Sequence, residues 1–306
     1  MNKQAHTNSR NLTYIGLDIG KTKIATGLLT GYGKVLLKNQ VPTDIEKGGE
    51  AILGQCRKLV RQILNSSKVK PEGIGIGSSG VVEPEKGIIV SSGSISGWRD
   101  IKIKEWFEEE FKIPVAVDND VHVAALGEHL FGAGKGVNTS VFMVISTGVG
   151  FSIVKDGRIW RGSHNLAGQI AHLPLFDRKK TVNDVFSGKG ISERASELLG
   201  RFVSTDNVFE LASEGNAEAK HVIEEAIEGA ASTIAWIQNT IDPDVFIVGG
   251  GVALGEKDFL ERVRLRTEEF LVKYKAQLPE RLNITFSQLG TDAGLVGCVG
   301  LFTKGK

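Results

Sequence analysis

At 306 residues, with 41% apolar and 24% charged residues, the chain is long enough for one large globular domain or two medium ones. Its 37 basic and 36 acidic residues leave a formal net charge of +1, so no global field favours nucleic acid or a membrane surface. No apolar run approaches the roughly 20 residues that span a bilayer. Met1–Asn11 is polar and lacks the apolar core of a signal peptide, which points to the cytoplasm.

In chain order, residues 14–29 read as two strands and 34–41 as a third. From Glu50 to Asn65, Ile52, Leu53, Cys56, Leu59, Val60, Ile63 and Leu64 recur at spacings of three and four, the pattern of an amphipathic helix. Gly73–Gly77 reads as a short buried strand whose glycines suggest close backbone approach. A polar helix over Ile101–Phe111 and a buried strand over Ile113–Val117 follow. A helix begins after Asp120 and closes at Phe131-Gly132-Ala133-Gly134. Strands are predicted over Thr139–Ile145 and Gly150–Lys155, with Arg158–Trp160 a candidate third. Helices are predicted over about 182–200, 217–240 and 256–274, strands over 244–248 and 284–288, and a last apolar helix over 293–302. Cys56 and Cys298 lie among apolar residues and read as buried thiols, with no disulfide framework and no cysteine zinc cluster.

Two stretches carry the chemistry. After the strand ending at Asp18, a turn presents the Gly20–Lys23 backbone, the Thr22 hydroxyl and the cations Lys21 and Lys23 beside a carboxylate, a composition suited to phosphate oxygens and a divalent metal. After the strand ending at Val117, Asp118-Asn119-Asp120 opens a helix; a carboxylate there either caps the helix or acts as a catalytic group. Three further glycine-rich turns follow strand-like runs: Ser146-Thr147-Gly148-Val149-Gly150, Gly249-Gly250-Gly251, and Gly290-Thr291-Asp292-Ala293-Gly294. The alternative for such a turn is a structural role without a ligand.

Taken together, these motifs resemble the actin-like ATPase superfamily and, within it, the ROK group of sugar kinases and sugar-responsive regulators, from about Tyr14 to about Phe302. The most specific parts are Asn119-Asp120 before Ala-Ala-Leu-Gly-Glu, the Ser-Thr-Gly-Val-Gly turn, and Gly168-Gln169-Ile170-Ala171-His172. The resemblance implies an α/β fold of two actin-like (ribonuclease H-like) domains with a ligand cleft between them. The expected domains are residues 12–119 with the C-terminal helix 293–306, and residues 120–292. It further implies ATP and Mg2+ as cofactors. Asp120 would be the general base; Gly80, Asn119, Glu128, Gln169 and His172 would contact the sugar. Asp18, through water, would hold Mg2+. Gly20, Lys21, Thr22, Lys23, Thr147, Gly148, Gly249, Gly250 and Gly251 would surround the nucleotide. A homodimer is expected by resemblance alone.

The sugar side departs from the family pattern. Ser79 stands where a G-x-P-G turn has proline, the usual N-L before the sugar-loop tryptophan is replaced around Ser94–Trp98, and Gln169 stands where the E-x-G-H motif has glutamate. The stretch Leu173–Gly188 after His172, where many members carry a zinc-holding cysteine cluster, contains no cysteine, so no zinc is expected. The leading reading is an ATP-dependent kinase of a hexose or N-acetylhexosamine. The alternative is a non-catalytic sugar sensor acting through a partner; an actin- or chaperone-like ATPase ranks third. About 12 residues precede the first strand, too few for the helix-turn-helix of the family's repressors, so DNA binding is not expected.

Overall fold

The structure, a computed structural model, describes residues 12–303 apart from 93, 94, 96, 176–178, 256, 278 and 280; the readings made at Met1–Asn11 and at Ser94 therefore lie outside the described residues. The fold is α/β, as expected. The chain divides into two compact units: residues 1–136, 154–159 and 288–306, and residues 137–153 and 160–287. The sequence reading placed the boundary at 119/120, whereas here residues 120–136 belong to the first unit.

In the first unit β1 (Thr13–Ile19), β2 (Lys23–Thr30), β3 (Val35–Pro42), β4 (Gly73–Ser78) and β8 (Val115–Asn119) form one sheet in the order β3-β2-β1-β4-β8. β1, β4 and β8 are parallel, so their carboxyl ends meet: Asp18 pairs with Gly77, and Gly77 with Asp118. Helix α1 (Gly48–Ser67) buries Ile52, Leu53, Cys56, Leu59, Val60 and Ile63, the stripe predicted from spacing. Between β4 and β8 the chain inserts a small three-stranded sheet, β5 (Val81–Glu83), β6 (Ile88–Ser91) and β7 (Arg99–Ile101), before α2 (Ile103–Phe111). These strands escape sequence reading because they are three or four residues long with little apolar alternation. Trp98 is buried, its indole N–H donating to Ser78 Oγ at 3.1 Å, so this tryptophan anchors its loop in the core.

Helix α3 (Asp120–Phe131) follows β8, and α10 (Ala293–Gly300) closes the unit. α10 lies against the sheet and α3 through glycines. A Cβ on Gly16 would stand 2.6 Å from Leu295 O, one on Gly75 2.3 Å from Cys298 O, and one on Gly297 1.8 Å from Val123 O. The close approach anticipated for the Gly73–Gly77 strand is thus observed at Gly75, and its cause is this helix.

The second unit has strands β9 (Thr139–Ile145), β10 (Val149–Lys155, up to Ile153 in this unit), β14 (Val245–Gly249) and β15 (Ile284–Phe286) in the order β10-β9-β14-β15. The last residues of β10 pair with the short β11 (Arg158–Ile159), and both stretches count with the first unit. A two-stranded ribbon, β12 (Pro174–Leu175) with β13 (Lys180–Thr181), precedes the helices. The helix expected over 182–200 is two, α4 (Val182–Phe186) and α5 (Gly188–Leu199). Ser187 between them is extended (ψ 158°); its hydroxyl caps α5 through Gly190 N at 3.0 Å, and Gly188 N donates to Ser146 O at 2.7 Å. α6 (Thr205–Ser213), capped by Ser204, was not read from sequence. The long α7 (Ala217–Ile241), α8 (Gly251–Gly255) and α9 (Lys257–Phe270) complete the unit. Arg264 on α9 is buried and reaches both Glu261 and Glu268, while Arg266 bridges from α9 to Glu228 on α7.

Gly297→Ala would drive a methyl into the α3 backbone, and we expect it to cost about 1–3 kcal/mol or more. Urea denaturation of wild type and variant measures this; an unchanged midpoint would mean that α10 is not seated on α3 as described.

Candidate functional site

At the carboxyl ends of the parallel strands of the first unit, the chain places Asp18, Gly80, Asn119 and Asp120 among its functional candidates. Ligands in α/β sheets bind at this edge. Asp18 lies one residue before the end of β1, on the face that α10 covers, and Gly77 beside it carries no side chain. A Cβ at Gly77 would come within 3.5 Å of Asp120 Cα. The first residue of α3 thus lies within van der Waals reach of the end of β4.

Asn119 is the N-cap of α3. Its Oδ1 accepts from Val121 N at 2.9 Å and His122 N at 3.3 Å, and its Nδ2 donates to Gly80 O at 2.9 Å. The choice left open by the sequence, whether Asp120 caps the helix, resolves in favour of Asn119. Asp120 is the first helical residue, with Oδ1 accepting from Val121 N at 2.9 Å. Behind it, the buried Asp118 carboxylate accepts from Asn119 N at 2.8 Å and meets His122 Nδ1 at 3.1 Å.

Both candidate carboxylates, Asp18 and Asp120, resist ionisation. Burial, then the neighbouring charge of Asp120, raises the Asp18 pKa to about 7; Lys23 and Lys38 act the other way, and Asp292 adds to the rise. Burial also raises Asp120, offset in part by the Val121 N–H and the His122 charge. Lys38 forms an ion pair with Asp292. On α10, a Cβ at Gly294 would stand 2.7 Å from Asp18 Oδ2, so the absence of a side chain there makes room for the carboxylate.

Beyond Asp18, Gly20 N donates to Lys23 O at 3.0 Å, closing the turn, while Lys21 and Thr22 are exposed. Gly80 has φ +105°, and a Cβ there would stand 2.3 Å from Ser91 O, a path open only to glycine.

Glu128 calls for a correction. Expected to contact sugar, it is fully buried on α3, and its carboxylate accepts from Ala133 N (2.9 Å), Gln288 N (3.3 Å) and Leu289 N (2.8 Å). A buried carboxylate engaged by three backbone donors is a structural staple; it ties the end of α3 to the segment that leads into α10. Sequence alone could not distinguish the two roles, because two of the three donors, Gln288 and Leu289, lie 160 and 161 residues away.

In the second unit the turns at the carboxyl ends of β9 and β14 adjoin. Ser146 N donates to Gly148 O at 2.9 Å, and Asn183 Oδ1 accepts from Val149 N at 2.7 Å, fixing the 146–150 turn. Asn183 was not among the predicted residues and carries no motif signal. Gly250 (φ +94°) would place a Cβ 2.3 Å from Ile145 O, whereas Gly251 opens onto free space. Thr147, Gly148 and Gly249–Gly251 are therefore brought together as bare or near-bare backbone. Gln169 and His172 lie on an exposed loop over 160–173, whose Gly168 (φ +92°) turns against Phe151 O.

Because the folded-state pKa of Asp18 is raised above its unfolded value of about 3.9, its ionisation opposes folding; the penalty grows as pH rises from about 4 and is complete above about 7. Asp18→Asn should therefore raise the Tm of the ligand-free protein at pH 8 and leave it little changed at pH 4. Equal Tm values at pH 8 would show that Asp18 is not held in a desolvated site.

Known proteins share this fold along nearly the whole chain. A family model described as ROK family matches residues 14–304. The glucokinase of Halalkalibacterium halodurans is 30% identical over 310 residues, 93% of this chain and 93% of its own. A ROK hexokinase from Thermus thermophilus superposes with a TM-score of 0.85 at 29% identity, covering 95% of this chain and 97% of that one. A ROK family glucokinase from Streptomyces griseus, solved in complex with glucose and AMPPNP, superposes with a TM-score of 0.75 at 27% identity, covering 94% and 98%.

Proposed function

The chain belongs to the ROK family, and on that footing we propose that it is a sugar kinase that transfers the γ-phosphoryl group of ATP to a hydroxyl of a hexose or N-acetylhexosamine, with Asp120 as general base. The observation that carries this reading is the placement of Asp18 and Asp120 at one strand edge, in a chain whose relatives include kinases named for glucose. Asp120 is anchored by the cap that Asn119 makes, and its raised pKa favours proton acceptance from a sugar hydroxyl. Phosphoryl transfer depends on such positioning and on charge stabilisation more than on covalent chemistry.

Asp18 would hold Mg2+ through water. Among the described residues no group of three or more His, Cys, Asp or Glu could by itself hold a metal ion. Asp18, with the Asp120 and Asp292 carboxylates acting on it, suits a Mg2+ bound through one or two carboxylates, waters and substrate phosphates. When bound, the ion supplies positive charge against the phosphates. The exposed Thr22 hydroxyl and Lys21, with Gly20 and Lys23, would meet phosphate oxygens, and Thr147, Gly148 and Gly249–Gly251 would let the nucleotide lie on bare backbone. Gln169 and His172 would contact the sugar, the amide offering a donor where the family pattern has only acceptors. No helix among the described residues is long and apolar enough to cross a membrane. A cytoplasmic homodimer without nucleic-acid or membrane partners completes the proposal.

The test is ADP release with ATP and Mg2+ against a panel of hexoses and N-acetylhexosamines. We expect turnover on at least one sugar and a roughly 10²–10⁴-fold lower kcat for Asp120→Asn; near-normal turnover in that variant removes Asp120 from the mechanism. Silence on every sugar, with sugar-dependent thermal stabilisation, would favour the sensor reading instead. Gln169→Glu should shift the relative kcat/KM among the sugars used, and an identical profile would mean that position 169 does not read the sugar.

A further inference from the structure

Ser79 is the residue that leaves β4, within Gly77-Ser78-Ser79-Gly80. Its N–H donates to Ile19 O at 3.1 Å, which holds it against the end of β1, and the next carbonyl, Gly80 O, accepts from Asn119 Nδ2 at 2.9 Å. Ser79 is thus fixed between the strand end that carries Asp18 and the helix start that carries Asp120.

Its hydroxyl oxygen is buried and has no hydrogen-bond partner. The adjacent serine shows that the environment can satisfy a hydroxyl: Ser78 Oγ accepts from Trp98 Nε1 at 3.1 Å and donates to Ser79 O at 3.2 Å. An unpaired buried hydroxyl opposes folding, and an alanine of nearly the same shape would not. Other polar side chains expected to face the sugar from this unit are already engaged: Asn119 Oδ1 accepts two backbone N–H groups, and the Glu128 carboxylate accepts three.

We propose that Ser79 is a specificity-determining residue whose hydroxyl hydrogen-bonds a hydroxyl group of the accepting sugar. A serine hydroxyl can donate and accept, and rotation about its single χ1 bond moves the oxygen among three staggered positions without moving the backbone. The backbone of Ser79 is held by Ile19 O, so the hydroxyl is presented from a fixed point. The proposal rests on the sugar-kinase reading and adds to it a residue that a proline at this position could not replace.

The experiment compares wild type, Ser79→Ala and Ser79→Thr as full chains, measuring KM for sugar and for ATP together with the Tm of the ligand-free proteins. Ser79→Ala should raise the KM of the preferred sugar about tenfold, the loss of one hydrogen bond to a ligand. Its KM for ATP should stay within error of wild type, and its ligand-free Tm should be equal or higher. Ser79→Thr, which keeps the hydroxyl, should recover most of the sugar affinity. An unchanged sugar KM in Ser79→Ala would overturn the proposal while leaving the kinase reading intact. So would a lower Tm with both KM values raised, which would mark Ser79 as structural. Absence of turnover and of sugar binding in wild type would overturn both.

Discussion

Contact between α10 and the first sheet is made through backbone, and the position of Asp18 depends on it. Leu295 O and Cys298 O lie where Cβ atoms would stand on Gly16 and Gly75, and Val123 O lies where one would stand on Gly297. No rotamer change can relieve a contact with a carbonyl oxygen, so these glycines fix how deeply the helix seats. Seated at that depth, α10 presents Gly294 to the Asp18 carboxylate with nothing between them. Close packing thus extends to the Asp18 carboxylate itself, and a shift of the helix would be transmitted to it.

Polar groups near this edge divide into those that hold the fold and those left available. Asn119 and Glu128 sit within ten residues of each other in a motif suggestive of sugar contact, yet both are engaged by backbone: one caps α3, the other staples its far end. Asp18, Asp120 and Ser79 are different. The two carboxylates carry raised pKa values, and the hydroxyl has no partner. Groups that the fold leaves electrostatically or sterically unsatisfied are where binding free energy can be recovered from a ligand.

Much of this was legible in the sequence because it is written in local pattern. The α1 stripe follows from spacing, the β4 glycines signal close approach, and the strand–turn order places Asp18 and Asp120 at strand ends. What was not legible depends on residues distant in sequence. Glu128 meets its donors at Gln288 and Leu289, and Asn183 fixes a turn 34 residues earlier. The break at Ser187 was missed because apolar periodicity continues through it; only the capping hydroxyl and the contact of Gly188 with Ser146 O reveal it. The β5–β7 insertion was missed because its strands are too short to show a period.

The electrostatics of the first unit favour an incoming cation. Asp18 is surrounded by two further carboxylates, Asp120 and Asp292, and by two lysines, Lys23 and Lys38. Lys38 is committed to Asp292, so its charge is already largely balanced. Lys23 then acts on the desolvated Asp18, where burial outweighs it and the pKa rises to about 7; burial raises Asp120 as well. A divalent ion near Asp18 would lower that pKa by direct attraction and would relieve the repulsion between the two carboxylates. It would therefore favour the ionised Asp18 it needs as a partner, while Asp120, reached only through that weaker coupling and through its own Val121 N–H and His122, would keep more of its affinity for a proton. The same pair of aspartates can in this way serve two different roles, set apart by which of them the cation meets.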